Sequence, residues 1–124
     1  MSLKKEYLMA DDVLDLPEFL ERVQDDKELL LELFDIFIED FKLKRVQLTQ
    51  AIEQKNFAQI RAIAHSLKGS TGNISAKLLR LTCIKLEELG QANSLAGIQD
   101  QLITLDKQFQ DLVNRIVIVK KELK

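Results

Sequence analysis

From Ile98 to Leu123 the apolar residues of this 124-residue chain return in steps of four and three: Ile98, Leu102, Leu105, Phe109, Leu112, Ile116, Val119 and Leu123. A 3.6-residue period held over that distance predicts one long amphipathic helix, its pattern running from Ser94 to about Val119, with a single stripe to bury. Such a stripe needs partners of the same kind, and the rest of the chain supplies them. Leu30, Phe34, Phe37, Phe41, Leu48 and Ile52 mark a second long helix from Asp26 to about Gln54, with Asp25 or Asp26 placed to cap it. Asn56 reads as the N-cap of a third, with Phe57, Ile60, Ala64, Leu67 and Thr71 on its inner side and Gly72 and Asn73 at its end. Ser75 is a capping candidate for a fourth, in which Leu78, Leu79, Thr82, Leu86 and Leu89 share one side and Gly90 stands where a helix would stop. A short helix from Leu16 to about Val23, with Pro17 suited to its first position, precedes them.

Four Gly and one Pro leave few tight turns, which argues against a many-stranded sheet. Short connections between long helices favour antiparallel neighbours. The expected fold is therefore all-α, an antiparallel up-down four-helix bundle with a short extra N-terminal helix. The length is that of one domain, spanning 1–124, with residues 1–13 as an N-terminal extension and Met1 to Leu3 within it as a cloning remnant. Four of the six phenylalanines fall between residues 19 and 41, where they can fill one end of a core.

Composition excludes several function classes. A hydrophobic share of 46% is too high for a disordered chain, and 31% charged residues, dispersed throughout, leave no uncharged apolar run near the length of a membrane span. Lys4, Lys5, Asp11 and Asp12 interrupt any signal-peptide pattern. A net charge of −2 lacks the basic footprint of a nucleic-acid binder. The single cysteine, Cys83, suits a reducing cytoplasm and falls in the apolar half of its helix, as a small core residue. One His and one Cys give no zinc pattern, and Gly69-Ser70-Thr71-Gly72 lacks the preceding strand and Gly-Lys-Ser/Thr ending of a phosphate-cradling loop. No cofactor or metal is expected. Lys42, Lys44 and Arg45 read as a solvated helix face.

His65 carries the whole question of imidazole chemistry, since it is the only histidine. At about 100° per residue it lies roughly 130° from the apolar stripe of its helix, which points the ring to solvent. Arg61 at i−4 and Lys68 at i+3 share that surface and could neutralise an anion attached to the ring, of which phosphoryl is the natural candidate. Gly69 sits one turn on; a helical glycine costs up to roughly 1 kcal/mol against alanine, which suggests that something must come close there. Each residue alone is more often an ordinary solvated group than a functional one.

Ala64-His65-Ser66-Leu67-Lys68-Gly69-Ser70 resembles the phosphoacceptor motif of histidine-containing phosphotransfer (HPt) domains, which pass phosphoryl groups between response-regulator receiver domains. Leu86-Glu87-Glu88-Leu89-Gly90 matches a later family element, and Leu16-Pro17-Glu18-Phe19-Leu20 through Asp26-Lys27-Glu28-Leu29 matches its front end, so the likeness runs from about residue 14 to 118. The resemblance implies that His65 is the phosphorylated histidine, that Lys68 balances the phosphoryl charge, and that Gly69 lets a receiver approach. A family position often held by glutamine falls on Glu87. Either that carboxylate accepts a hydrogen bond from Nδ1–H and leaves Nε2 to attack, or it is an ordinary solvated glutamate. Ser75 stands where many members carry glycine. The implied protein is a cytoplasmic, monomeric phosphocarrier without kinase activity of its own, with receiver domains and a hybrid sensor histidine kinase as partners, and with no nucleic acid or membrane insertion. The competing expectation, from a different class, is a non-catalytic interaction module in which the 98–123 stripe is a dimer seam.

Overall fold

The computed structural model describes residues 12–123, so the expectations for the first eleven residues lie outside it. Helix α1 spans Leu16–Arg22, α2 Lys27–Glu53, α3 Phe57–Asn73, α4 Lys77–Gln91 and α5 Ile98–Leu123. Three starts are set by local side-chain chemistry. Asp15 accepts the Glu18 N–H at 3.1 Å, with Pro17 in the first turn; Asp26 accepts from Leu29 at 3.0 Å; Asn56 accepts from Gln59 at 3.1 Å. Each bond satisfies an amide that the helix itself leaves without a partner.

Helices α2 to α5 form the antiparallel bundle. Lys44 reaches Ser66 across α2 and α3, His65 meets Glu87 across α3 and α4, Thr82 meets Gln108 across α4 and α5, and Arg45 meets Asp106 across α5 and α2. The α5 stripe is spent inside this bundle: Ile98, Leu102, Leu105, Leu112, Ile116 and Val119 are buried, and Phe109 is half-buried against the rings of α2. Phe41 and Phe109 stack with centroids 4.1 Å apart, which fixes the rotation of α5 against α2. Burial of the stripe in its own bundle leaves no continuous seam for the dimer reading. Helix α1 closes one end, where Phe19 is buried edge-on to Phe34 at 5.3 Å.

Several boundaries differ from the sequence expectation, each for a tertiary reason. Helix α3 ends at Asn73, as the sequence suggests, but without a left-handed glycine: the left-handed residue is Ser75, with φ 63°. Ser75 is accordingly not the cap of α4, whose N-cap is Ala76 without a side-chain bond. The Ser75 hydroxyl instead donates to Glu18 Oε1 at 2.7 Å, while Asp15 N–H donates to the Ser75 carbonyl at 3.0 Å. A glycine would hold that backbone without strain. Arg22 completes the junction, donating to the Gly72 and Asn73 carbonyls at 2.7 and 2.6 Å and so capping the end of α3.

Gly90 does not terminate α4, which continues to Gln91. A Cβ built on it would lie 2.7 Å from the Arg61 amide nitrogen, so α3 and α4 approach here too closely for any larger residue to fit without a shift. Helix α5 starts at Ile98, not Ser94. The Ser94 hydroxyl accepts from Ala96 N–H at 3.1 Å, and Gly97 takes φ 72°, so the intervening residues form a turn before the helix, which then runs past Val119 to Leu123.

Candidate functional site

The middle of α3 sets the geometry of the site. Its buried stripe, Ile60, Ile63, Ala64, Leu67 and Thr71, is clamped between α2 and α4, so the opposite side faces water. His65 projects from that side with its side chain 68% exposed. Its Nδ1 lies 2.5 Å from Glu87 Oε2, and the other oxygen of the same carboxylate accepts from Lys68 Nζ at 2.7 Å. Glu87 is only 15% exposed, so a nearly covered carboxylate sits beneath an exposed ring and holds it by one nitrogen. With Nδ1 donating to Glu87, Nε2 is the nitrogen that keeps its lone pair, and no bond to it occurs among the described residues.

The Lys68 hydrogen bond is the main cause that holds the Glu87 carboxyl below its usual range; partial burial opposes it, and the His65 contact adds to it. The carboxylate is therefore charged at neutral pH. Arg61 lies on the same side of α3 and lines a shallow hollow with Ala58, Ala62, His65 and Glu87, its guanidinium without a hydrogen bond among the described residues. A Cβ added at Gly69 would meet nothing within 4 Å, so the fold itself makes no steric demand for glycine there. His65, Lys68, Arg61, Gly69 and Glu87 thus share one surface, and among the described residues no cluster of His, Cys, Asp and Glu could hold a metal ion.

Cys83 is fully buried, and burial pushes its thiol up to about 12, which removes it from any reactive role at neutral pH. The basic cluster on α2 is not merely a solvated face. Lys44 Nζ bonds Asp40 at 2.8 Å and Ser66 Oγ at 2.5 Å, while Arg45 grips both oxygens of Asp106 at 2.7 and 3.1 Å. Asp40 is the local i−4 partner of Lys44, but Ser66 and Asp106 are 22 and 61 residues away in sequence from their partners, beyond any local spacing rule. A second feature that sequence reasoning missed is an open apolar groove between α2 and α3, lined by Leu33, Ile36, Phe37, Asp40, Ser70 and Asn73. Ile36 is 62% and Leu43 59% exposed along this side of α2. Their signal was present as leucine and isoleucine off the core stripe, spaced seven apart.

Residues 32–116 match the Hpt domain family. Histidine-containing phosphotransfer protein 1 of Oryza sativa subsp. japonica is 28% identical over 90 residues, covering 71% of this chain and 61% of the relative. Histidine-containing phosphotransfer protein 2 of Arabidopsis thaliana is 26% identical over 102 residues, covering 78% and 65%. The chain therefore spans about three fifths of the length of the curated relatives it matches. Among solved structures, histidine-containing phosphotransfer protein B of Pseudomonas aeruginosa PAO1 superposes with a TM-score of 0.71 at 25% identity, covering 90% of this chain and 94% of that one. A histidine-containing phosphotransfer protein of Medicago truncatula shares the fold, with a TM-score of 0.78 at 24% identity over 96% and 86% of the two chains.

Proposed function

The chain belongs to the Hpt domain family, and from that premise we propose that His65 accepts a phosphoryl group from an aspartyl phosphate on a receiver domain and passes it to a second receiver. The observation that carries this reading is the ring itself, exposed on α3 and tied by Nδ1 to a charged carboxylate, so that Nε2 faces solvent as the nucleophile. Lys68, held on Glu87 within one turn of the ring, keeps a cation beside it that balances part of the added phosphate charge. Arg61 adds a second cation to the same hollow. Gly69 keeps the approach clear, and the apolar groove beside it offers a receiver a surface to dock on.

The receiver brings its own divalent cation and most of the electrostatic stabilisation; this chain supplies a positioned nucleophile and a counter-charge. It is in this reading a phosphocarrier without kinase activity, served upstream by a hybrid sensor histidine kinase. A monomer in a reducing cytoplasm fits the buried α5 stripe and the lone buried thiol. Among the described residues no helix is long and apolar enough to cross a membrane. Incubation with a phosphorylated receiver should transfer an acid-labile phosphate to the parent and none to His65→Gln. Equal labelling of the two proteins would refute the assignment.

A further inference from the structure

We propose that Glu87 keeps a proton on Nδ1 of His65 through the entire transfer cycle, so that the phosphorylated ring is held as a phosphoimidazolium, the form that readily gives its phosphoryl group up. The inference rests on the phosphocarrier reading and deepens it, because it concerns the charge of residue 87 and not merely its ability to accept a hydrogen bond.

The geometry leads there directly. Glu87 Oε2 stands 2.5 Å from Nδ1, and Oε1 is fixed by Lys68 at 2.7 Å, so the carboxylate cannot swing away without losing two charge-assisted contacts. The charged groups facing the ring are Arg61 and Lys68 from α3 and Glu87 from α4; on the α2 side Lys44 is engaged by Asp40 and Ser66. Both facing cations disfavour a positive ring. Glu87 favours it, and Glu87 is the group in direct contact.

In the forward step the Nε2 lone pair forms the P–N bond as the P–O bond to the aspartyl carboxyl breaks, its electron pair leaving with the carboxylate. No proton moves. The ring, neutral before with its proton on Nδ1, becomes a phosphoimidazolium whose charge faces Glu87. In the return step the P–N bond breaks, its pair goes back to Nε2, and neutral imidazole is the leaving group. Loss of the Nδ1 proton would make the leaving group imidazolate, a much poorer one. A glutamine at position 87 would accept the same hydrogen bond but would oppose that loss only as a neutral dipole, and hydrogen bonds to an ionised partner are roughly twice as strong.

The test uses the full chain phosphorylated by phosphoramidate, without any receiver, and follows phosphate loss against pH. The chain's only histidine reports its own ring nitrogens by 15N NMR. Parent phosphohistidine should stay labile to higher pH, and Glu87→Gln should lengthen the lifetime severalfold near pH 8 while leaving it unchanged near pH 5. Superimposable profiles for the two proteins would overturn the proposal. If Glu87→Gln fails to fold, the parent decides alone: Nδ1 of the phosphorylated ring must still carry its proton near pH 8, and a bare nitrogen there overturns the proposal. Phosphate found on a residue other than His65 is a separate failure, one that removes the phosphocarrier reading and this inference with it.

Discussion

Gly90→Ala should destabilise the bundle even though it takes a glycine out of a helix. Helix propensity alone favours alanine by up to roughly 1 kcal/mol. Against that, the new methyl would lie 2.7 Å from the Arg61 nitrogen, 2.9 Å from its Cα and 3.0 Å from its Cβ. Two of those atoms are backbone in the second turn of α3, so relief requires the two helices to separate. Overpacking of a filled interface costs about 1–3 kcal/mol, and contacts of 2.7 and 2.9 Å to backbone put this site in the upper part of that range, so a net loss of about 1–2 kcal/mol remains after the propensity gain. For a domain of this size, each kcal/mol lost lowers Tm by roughly 3–6 °C. Because Glu87 is one turn from Gly90 and Arg61 one turn from His65, the same displacement should lengthen the His65–Glu87 contact and slow phosphoryl transfer. Gly69→Ala is the internal control: its methyl meets open space, so the propensity term stands alone and Tm should rise. Thermal unfolding followed by far-ultraviolet circular dichroism reads both. A Gly90→Ala protein as stable as the parent would refute the close-packing argument.

Gly69→Gln should keep the parent's helical spectrum while receiver-dependent transfer is nearly abolished, since the side chain enters the space a partner must fill; transfer at the parental rate would show that this approach is not needed. Lys68→Ala should cost about 1 kcal/mol or less in urea unfolding, because its ion pair with Glu87 is only partly covered, yet should slow transfer or shorten phosphohistidine lifetime in stopped assays. Acid should weaken the α1 junction. Asp15 is held below its usual range chiefly by its bond from Lys77, and Glu18 chiefly by the Ser75 hydroxyl. The unfolded chain therefore takes up these protons at higher pH than the folded one, so their contribution is intact above about pH 5 and is lost as pH falls below that. Lys77→Ala should flatten part of the stability decline between about pH 5 and pH 3 in denaturant titrations; an unchanged slope would count against the network.

The sequence by itself determined the helices and their inner faces. The periods through Leu30 to Ile52 and Ile98 to Leu123, and the caps at Asp26 and Asn56, involve residues three or four apart, and contacts of that range form within one helix whatever surrounds it. Exposure of His65 followed from the same arithmetic, because a side chain opposite a buried stripe has only water to face. The tertiary structure alone decided what depends on how one helix is rotated and spaced against the next. It settled Glu87 as the partner of His65 and Lys68 rather than a free surface acid, 22 residues from the histidine. It made Gly90 a contact point with Arg61, placed the left-handed turn on Ser75 with Glu18 57 residues away as its partner, and turned Lys44 from a surface charge into a bond to Ser66. Local periodicity specifies which side of a helix is buried, but not the distance at which two buried sides meet or which polar groups stand at their edges, because those are set by side-chain volumes contributed from both helices at once.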